Sequence, residues 1–368
     1  MNEINIAKTI VNKRREKGIT QEDLASYMGI SKASVSKWET GQSYPDIAFL
    51  PQLAAYFNIT LDELMDYKPQ MTKEDIKKLY HRLAKEFTEK PFDEVFTELN
   101  EIIKKYYSCF PLLLQMGLLI LNHVELANLE NKNDTIQKAL SLFLRVKEES
   151  NNVELSKQAR YFEAICYLSL NEPFQVLELF EQDDKMIIDE SCILSTAFTM
   201  TGNMDKAIEK TQISIYQYTL TVLQSMTFYL QMNIPNPSVG EIILERILSL
   251  CNVFDIKNLH PATMINVYIT SAQFYITIGD KEKALDMLSD FYALATSGVF
   301  PLILKGDMFF DKIDNWLQSF DLGNAMPRNI KTIERSILSI IQSPMFEALR
   351  DVPRYNHIVE NLNLHFGG

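Results

Sequence analysis

The chain has 368 residues and a formal net charge of −12, with 46% hydrophobic and 23% charged side chains. That length allows two or three domains, and the composition is that of an ordinary globular chain. An acidic balance of this size argues against a protein that coats nucleic acid broadly, so any phosphate contact has to come from a local patch. Residues 1–68 are nearly neutral, with eight Lys and Arg against nine Asp and Glu, and the other 300 residues carry the remaining −11. Lys8 and then Lys13-Arg14-Arg15 interrupt any apolar leader. The longest apolar run, Cys109 to Leu121, contains Gln115 and is too short to span a bilayer, which predicts a buried helix, no membrane association and a cytoplasmic location. Cys109, Cys166, Cys192 and Cys251 lie far apart with no C-x-x-C, and read as core thiols of a reducing compartment, not as zinc ligands or disulfides.

In chain order, the first predicted element is a helix from Ile4 to Lys17, with Ile6, Ile10 and Val11 on one face. Thr20 is a good N-cap for a second helix, with Glu22 and Asp23 in its first turn, where negative charge is favoured. Ala25 is small where two helices must cross, and Gly29 supplies a turn position that disfavours a side chain. Ser31 caps a short third helix whose Val35 and Trp38 face inward while Lys32, Ser34, Ser36 and Lys37 stay exposed. Counted from Gln21, the small residue, glycine and branched apolar residue fall at positions five, nine and fifteen. That spacing sets two helices at a steep angle with the second presented to solvent. Pro45 then starts a helix with Ile47, Leu50, Leu53, Ala54 and Phe57 on its apolar face. Thr60-Leu61-Asp62-Glu63 makes a capping box into a last short helix, Leu61 to Met65.

The stretches RREKGITQEDLA, GISKASVSKWETGQSYPD and LAAYFNITLDEL resemble the Cro/phage-repressor (XRE) family of bacterial DNA-binding domains over residues 4–67. The resemblance implies a phosphate contact for Gln21, reinforced by the positive end of its helix. It implies base-edge positions in the major groove for Lys32, Ala33, Ser34, Ser36 and Lys37, and backbone contacts for Gln42, Ser43 and Tyr44. It also implies an internal ion pair between Arg14 and Glu39. Trp38 lies on the Val35 side of its helix and reads as core.

After Lys68-Pro69 the character changes. Thr72 caps a charged helix, Lys73 to about Glu89, with Ile76, Leu79, Tyr80, Leu83 and Phe87 on one stripe, read as a connecting helix over 69–90. Residues 91–368 show apolar recurrence at three and four throughout, which predicts an all-α remainder. Three segments align on turns at Asn171, Gly202 and Gly279. Seven residues before each turn stands Ala164, Ser195 or Ala272; four before stands Tyr167, Phe198 or Tyr275; five after stands Val176, Ala207 or Ala284. This resembles the tetratricopeptide repeat, a helix-turn-helix unit of about 34 residues that stacks into a right-handed superhelix. A degenerate unit is expected over Tyr216 to Asn252, an earlier copy at Asp134 to Ala139, and a terminal cap in PMFEALRDVPRYNHIVENLNL. By that resemblance Gln158, Tyr161, Asn266 and Gln273 line the concave surface, where amides suit the backbone of an extended peptide.

No phosphate loop, dinucleotide fingerprint, H-E-x-x-H or nucleophile motif is present, so no enzyme and no cofactor are expected. The acidic group Glu181, Asp183, Asp184, Asp189 and Glu190 lacks a calcium-loop pattern and reads as a solvated loop. His123 and His260 stand in apolar surroundings and read as core. The whole chain resembles the quorum-sensing regulators of Gram-positive bacteria, in which an XRE head precedes a repeat array that binds a short signalling peptide. The expected partners are a double-stranded DNA operator, a short signalling peptide and a second copy in a homodimer. Two alternatives stay open: an array that docks a protein partner, and a scaffold whose head no longer binds DNA.

Overall fold

The computed structural model describes residues 5–66, 70–180, 189–325 and 327–367. Among these the regular structure is helical, apart from one isolated antiparallel bridge between Ile303 and Ala325. No described helix is long and apolar enough to cross a membrane.

Five helices build the head: α1 (Ile6–Glu16), α2 (Gln21–Met28), α3 (Lys32–Glu39), α4 (Leu50–Phe57) and α5 (Leu61–Met65). Two of them start on reciprocal capping boxes. Thr20 Oγ1 accepts from the Asp23 N–H while the Asp23 carboxylate accepts from the Thr20 N–H, and Thr60 and Glu63 repeat the arrangement. Each box satisfies backbone donors that a helix start otherwise leaves bare. Gly29 ends α2 at φ 67°, a left-handed conformation that costs a side-chain residue about 1–2 kcal/mol. Ile6, Ile10, Leu24, Ala25, Val35, Trp38, Leu53, Phe57 and Leu64 close a core separate from the rest of the chain. One expectation fails here: Ile47 is 81% exposed. Asp46 caps a tight 3-10 turn over Ile47–Phe49 by accepting from the Ala48 N–H, and α4 begins only at Leu50, so Ile47 swings out to solvent.

The body follows as two halves. In the first, α6 (Lys73–Glu89), α7 (Phe92–Lys105), α8 (Phe110–His123), α9 (Lys132–Glu149) and α10 (Val153–Ser169) share one apolar core. The apolar stripe of α6 buries Ile76, Tyr80, Leu83 and Phe87 in it, so this helix is an integral wall of the body and not a free connector. The second half has its own core, from α13 (Met204–Met232), α14 (Pro237–Val253), α15 (Ile256–Leu259), α16 (Pro261–Thr277), α17 (Lys281–Ala295), α18 (Asp314–Gln318), α19 (Ile330–Ile341) and α20 (Pro353–Phe366). Between them α11 (Pro173–Phe180) and α12 (Ser191–Met200) bury no side chain fully, and Cys192 on α12 is exposed where a core thiol was expected. The other three thiols are buried; burial, with the nearby Glu163 charge, pushes Cys166 up to about 12.

The three turns share one hydrogen-bonded geometry. Asn171, Gly202 and Gly279 all have positive φ, and each donates its N–H to the carbonyl three residues back. The next residue donates to the carbonyl of the aromatic, Tyr167, Phe198 or Tyr275. This is the helix C-terminal motif in which a left-handed residue lets two N–H groups satisfy orphan carbonyls. The small residues Ala164, Ala272, Ala207 and Ala284 are buried, whereas Ser195 and Val176 are only half-buried. The degenerate unit has an unforeseen form, because α13 runs unbroken for 29 residues and serves both neighbours. A second departure is the described part of residues 296–329, where, apart from α18 and the Ile303–Ala325 bridge, the described backbone is turns and irregular chain.

That irregular segment joins the halves. Lys73 on α6 pairs with Asp321 at 2.9 Å and donates to the Ser319 carbonyl at 2.5 Å. His81 Nε2 donates to the Leu322 carbonyl at 3.2 Å, and Arg328 Nε donates to Asn122 at 3.3 Å. Leu322 itself inserts into the core of the first half.

Candidate nucleic-acid interface and ligand grooves

Helix α3 is presented by what lies behind it. Val35 is fully buried, and Trp38 is 5% exposed with its ring 5.7 Å from that of Phe49. Ser31 caps the helix by accepting from the Ser34 N–H at 3.2 Å. With that face anchored, Lys32, Ala33 and Lys37 are exposed and Ser34 and Ser36 half-buried on the opposite side. Gln42, Ser43 and Tyr44 are exposed just beyond it, Tyr44 at 67%. Lys32 meets Glu22 of α2 at 3.4 Å, both side chains being solvated.

A polar buttress fixes the angle of α3. Arg14 donates from Nε to Glu39 Oε1 at 2.5 Å and from Nη2 to Oε2 at 3.0 Å, and its Nη1 donates to the Ile19 carbonyl at 2.8 Å. Both side chains are largely buried, at 14% and 6% exposure. The hydrogen bond to Glu39 outweighs desolvation and raises the Arg14 pKa. For Glu39 burial works upward, but the hydrogen bonds from Arg14 and Gln21 overcome it and hold the carboxyl below its ordinary value. Gln21 departs from the simple phosphate-contact picture, because its Nε2 donates to Glu39 Oε2 at 2.9 Å. One hydrogen of that amide nitrogen is thereby committed inward and one is left.

Residues 10–64 match the helix-turn-helix family. The chain is 34% identical over 74 residues to the HTH-type transcriptional activator BcrR of Enterococcus faecalis, which is 18% of this chain and 36% of that protein. The match thus spans about a third of that relative. Among solved structures, Bacillus thuringiensis PlcR in complex with the peptide PapR7 and DNA is 15% identical, with a TM-score of 0.30 over 79% of this chain and 95% of that one. The apo competence regulator ComR of Streptococcus vestibularis is 12% identical, with a TM-score of 0.25 over 84% and 95%. Overlap this loose does not carry helix positions from those molecules to this one.

Behind the helix-turn-helix head, the four residues expected on a concave face do not share one site. Asn266 and Gln273 lie two turns apart on α16 and line a groove of about 460 Å³. Gln224 and Gln231, two turns apart on α13, line the same groove together with Thr227, Thr263 and Thr270, and Gln231 Nε2 donates to Thr270 Oγ1 at 3.5 Å. Sequence reading missed the α13 pair, although its seven-residue spacing equals that of Asn266 and Gln273. Gln158 instead lines a cavity of about 510 Å³ between the two body halves. Tyr161 is 55% exposed and lines neither.

The remaining sequence candidates resolve simply. Asp189 accepts from the Ser191 N–H at 2.9 Å and from Ser214 Oγ at 3.1 Å, which lowers its pKa. Glu181, Asp183 and Asp184 fall outside the described residues. Among the described residues no cluster of His, Cys, Asp and Glu has the arrangement of a metal site. His123 is fully buried and stacks on Phe87, its centroid 5.1 Å away. His260, half-buried, caps α16 through Nδ1.

Proposed function

We propose that this protein is a sequence-specific DNA-binding transcription regulator whose helical body binds a short peptide and thereby controls DNA affinity. The observation that carries the DNA half is α3: a helix capped by Ser31, anchored by Val35 and Trp38, and braced through Glu39, that leaves Lys32, Ala33, Ser36 and Lys37 facing outward. Such a helix fits the major groove, where lysine donates to guanine O6 or N7 and an alanine methyl meets the thymine methyl. The remaining Gln21 N–H is placed at a helix start, where a phosphate oxygen is favoured. Gln42, Ser43 and Tyr44 supply backbone contacts. Two such heads, about 34 Å apart in a homodimer, would read successive major grooves.

The peptide half rests on the amide-lined groove. Two turns of helix rise about 10.5 Å, close to the length of three extended residues. Amides at both ends of that span, on both walls, offer donors and acceptors to a peptide backbone while Leu220, Phe228 and Ile340 meet its side chains. A ligand bound there shifts DNA affinity only through differential affinity for two states of the protein. The similarity to the activator BcrR supports a role in transcription.

The test is a footprint on an operator selected from random duplexes. Lys32→Ala combined with Lys37→Ala should abolish protection while circular dichroism stays that of the parent. Retained protection would sink the DNA reading. For the peptide, a five-to-ten-residue segment from the same genomic neighbourhood should raise the melting point of the parent and not of Asn266→Leu/Gln273→Leu.

A further inference from the structure

We infer that the outward face of α13 is the contact between two copies of this chain, which pack there as antiparallel helices. This names the surface of the homodimer proposed above and rests on that part of the reading. No Asp, Glu, Lys or Arg stands between Lys210 and Glu241, a run of 30 residues in a chain that is 23% charged. Most of that run belongs to α13. A surface helix is ordinarily polar on the side away from its core. Here Ile213, Tyr216, Thr219, Leu223 and Leu230 are buried, Gln224, Thr227 and Gln231 line the groove, and a third face remains. It carries Tyr218, Val222, Ser225, Tyr229 and Met232, all exposed, the four large ones at 40%, 46%, 52% and 75%.

Those five residues follow at intervals of four, three, four and three. That is the period of a helix-packing seam, and it keeps them within about 40° of one line along the helix. The same line begins inside the molecule. Thr211 and Ser214 lie on it, and there α12 occupies it: Thr211 Oγ1 is 3.0 Å from Ser195 Oγ, and Ser214 Oγ donates to Asp189 just before α12. Helix α12 has 10 residues and α13 has 29, so the seam outruns its helical neighbour. It stays open from Tyr218 to Met232, a rise of about 21 Å. What fits an open seam of this period is another helix crossing at about 20°. A second copy supplies one. Residues 69–368 carry −11, and two such bodies meet with least repulsion where charge is absent. A two-fold axis sets a surface against itself, so a charge-free strip is self-complementary. With the axis at Ser225, the smallest and middle residue of the five, Val222 faces Tyr229 of the second copy and Tyr218 faces Met232.

The test is sedimentation velocity on the full-length protein over a dilution series, together with crosslinking. The parent should be a reversible dimer. Val222→Glu should weaken the dimer at least about thirtyfold at unchanged circular dichroism, because it sets a charge against an aromatic ring at the centre of the contact. Ser225→Cys, in a Cys192→Ser background that removes the one exposed thiol among the four, should form an intermolecular disulfide under copper phenanthroline. That bond requires the two Cα atoms to lie within about 7 Å. Val222→Cys in the same background should crosslink poorly, since the antiparallel register offsets the two copies of that residue by about 9 Å along the helices. The Ser225→Cys disulfide decides the matter if Val222→Glu does not fold. A parent that dimerises while folded Val222→Glu dimerises equally well, or while Ser225→Cys stays uncrosslinked, overturns the seam and leaves the homodimer reading standing. Val222→Cys crosslinking as readily as Ser225→Cys overturns the antiparallel register. A parent that is monomeric throughout overturns both the seam and the homodimer.

Discussion

The Arg14–Glu39 buttress allows a quantitative test of how α3 is held. Glu39→Gln removes the charge but keeps one acceptor oxygen for Arg14, which also retains the Ile19 carbonyl at 2.8 Å. Stripping a buried pair of one partner outright costs about 3–5 kcal/mol, so with these two bonds kept the loss should be about 2 kcal/mol. For a unit of this size 1 kcal/mol moves the midpoint by about 4–8 °C, giving a drop of about 8–16 °C in the melting of the head. Trp38 belongs to the head core and Trp316 to the second half of the body, so tryptophan fluorescence in a Trp316→Phe background isolates the head. The pH dependence supplies a second check. Because the folded Glu39 titrates below its ordinary 4.5, its contribution is complete above pH 4.5 and is lost as pH falls through the folded value. The gap between parent and Glu39→Gln should therefore be full at pH 7 and shrink steadily below pH 4.5. A head that melts within about 2 °C of the parent at pH 7, or a gap that persists unchanged at pH 3, would refute the reasoning.

Glu22→Gln should free Lys32 from its solvated partner and raise operator affinity a few-fold, under about 1 kcal/mol, with the gain fading at high salt in an anisotropy titration. Gly279 has φ +84° with open space where a Cβ would sit, so Gly279→Ala should cost about 1–2 kcal/mol in urea unfolding from backbone strain alone. Gly279→Asn should cost less, since Asn171 occupies the equivalent turn at φ 60°. Gly240→Ala meets a different obstacle: its new methyl would lie 2.1 Å from Cε2 of the fully buried Phe274. That overpacking should lower stability by about 1–3 kcal/mol, and a parent-like unfolding midpoint would mean the ring has room to move.

The head was legible because its information is local. Thr20 with Asp23, Ser31, Gly29 and Thr60 with Glu63 each fix a boundary within four residues, and period-3.6 burial fixes the faces between. The repeat turns were legible for the same reason, since a left-handed residue and a carbonyl four back define them. What escaped is long-range or one-sided. The Gln21–Glu39 bond joins residues 18 apart by a single amide hydrogen, which no pattern announces. Ile47 is apolar at a helical spacing, but its backbone belongs to a 3-10 turn with a different period. Residues 296–329 have no periodicity to read, and their role comes from contacts with α6 and α8 more than 200 residues earlier. The ligand set came apart because helix faces can be drawn from sequence, whereas the empty space between packed helices cannot.

Leu322 and its neighbours carry a consequence for biosynthesis. The first half of the body lacks one of its own core side chains until residues 319–328 arrive, and Lys73 waits 246 residues for its Ser319 contact. At about 5–20 residues per second, ribosomal synthesis leaves α6 without that covering for on the order of 10–50 s. The head can close long before then, since its core draws on residues 5–66 alone. Nascent chains stalled before residue 319 should thus present a folded head on a body still open to proteases and chaperones.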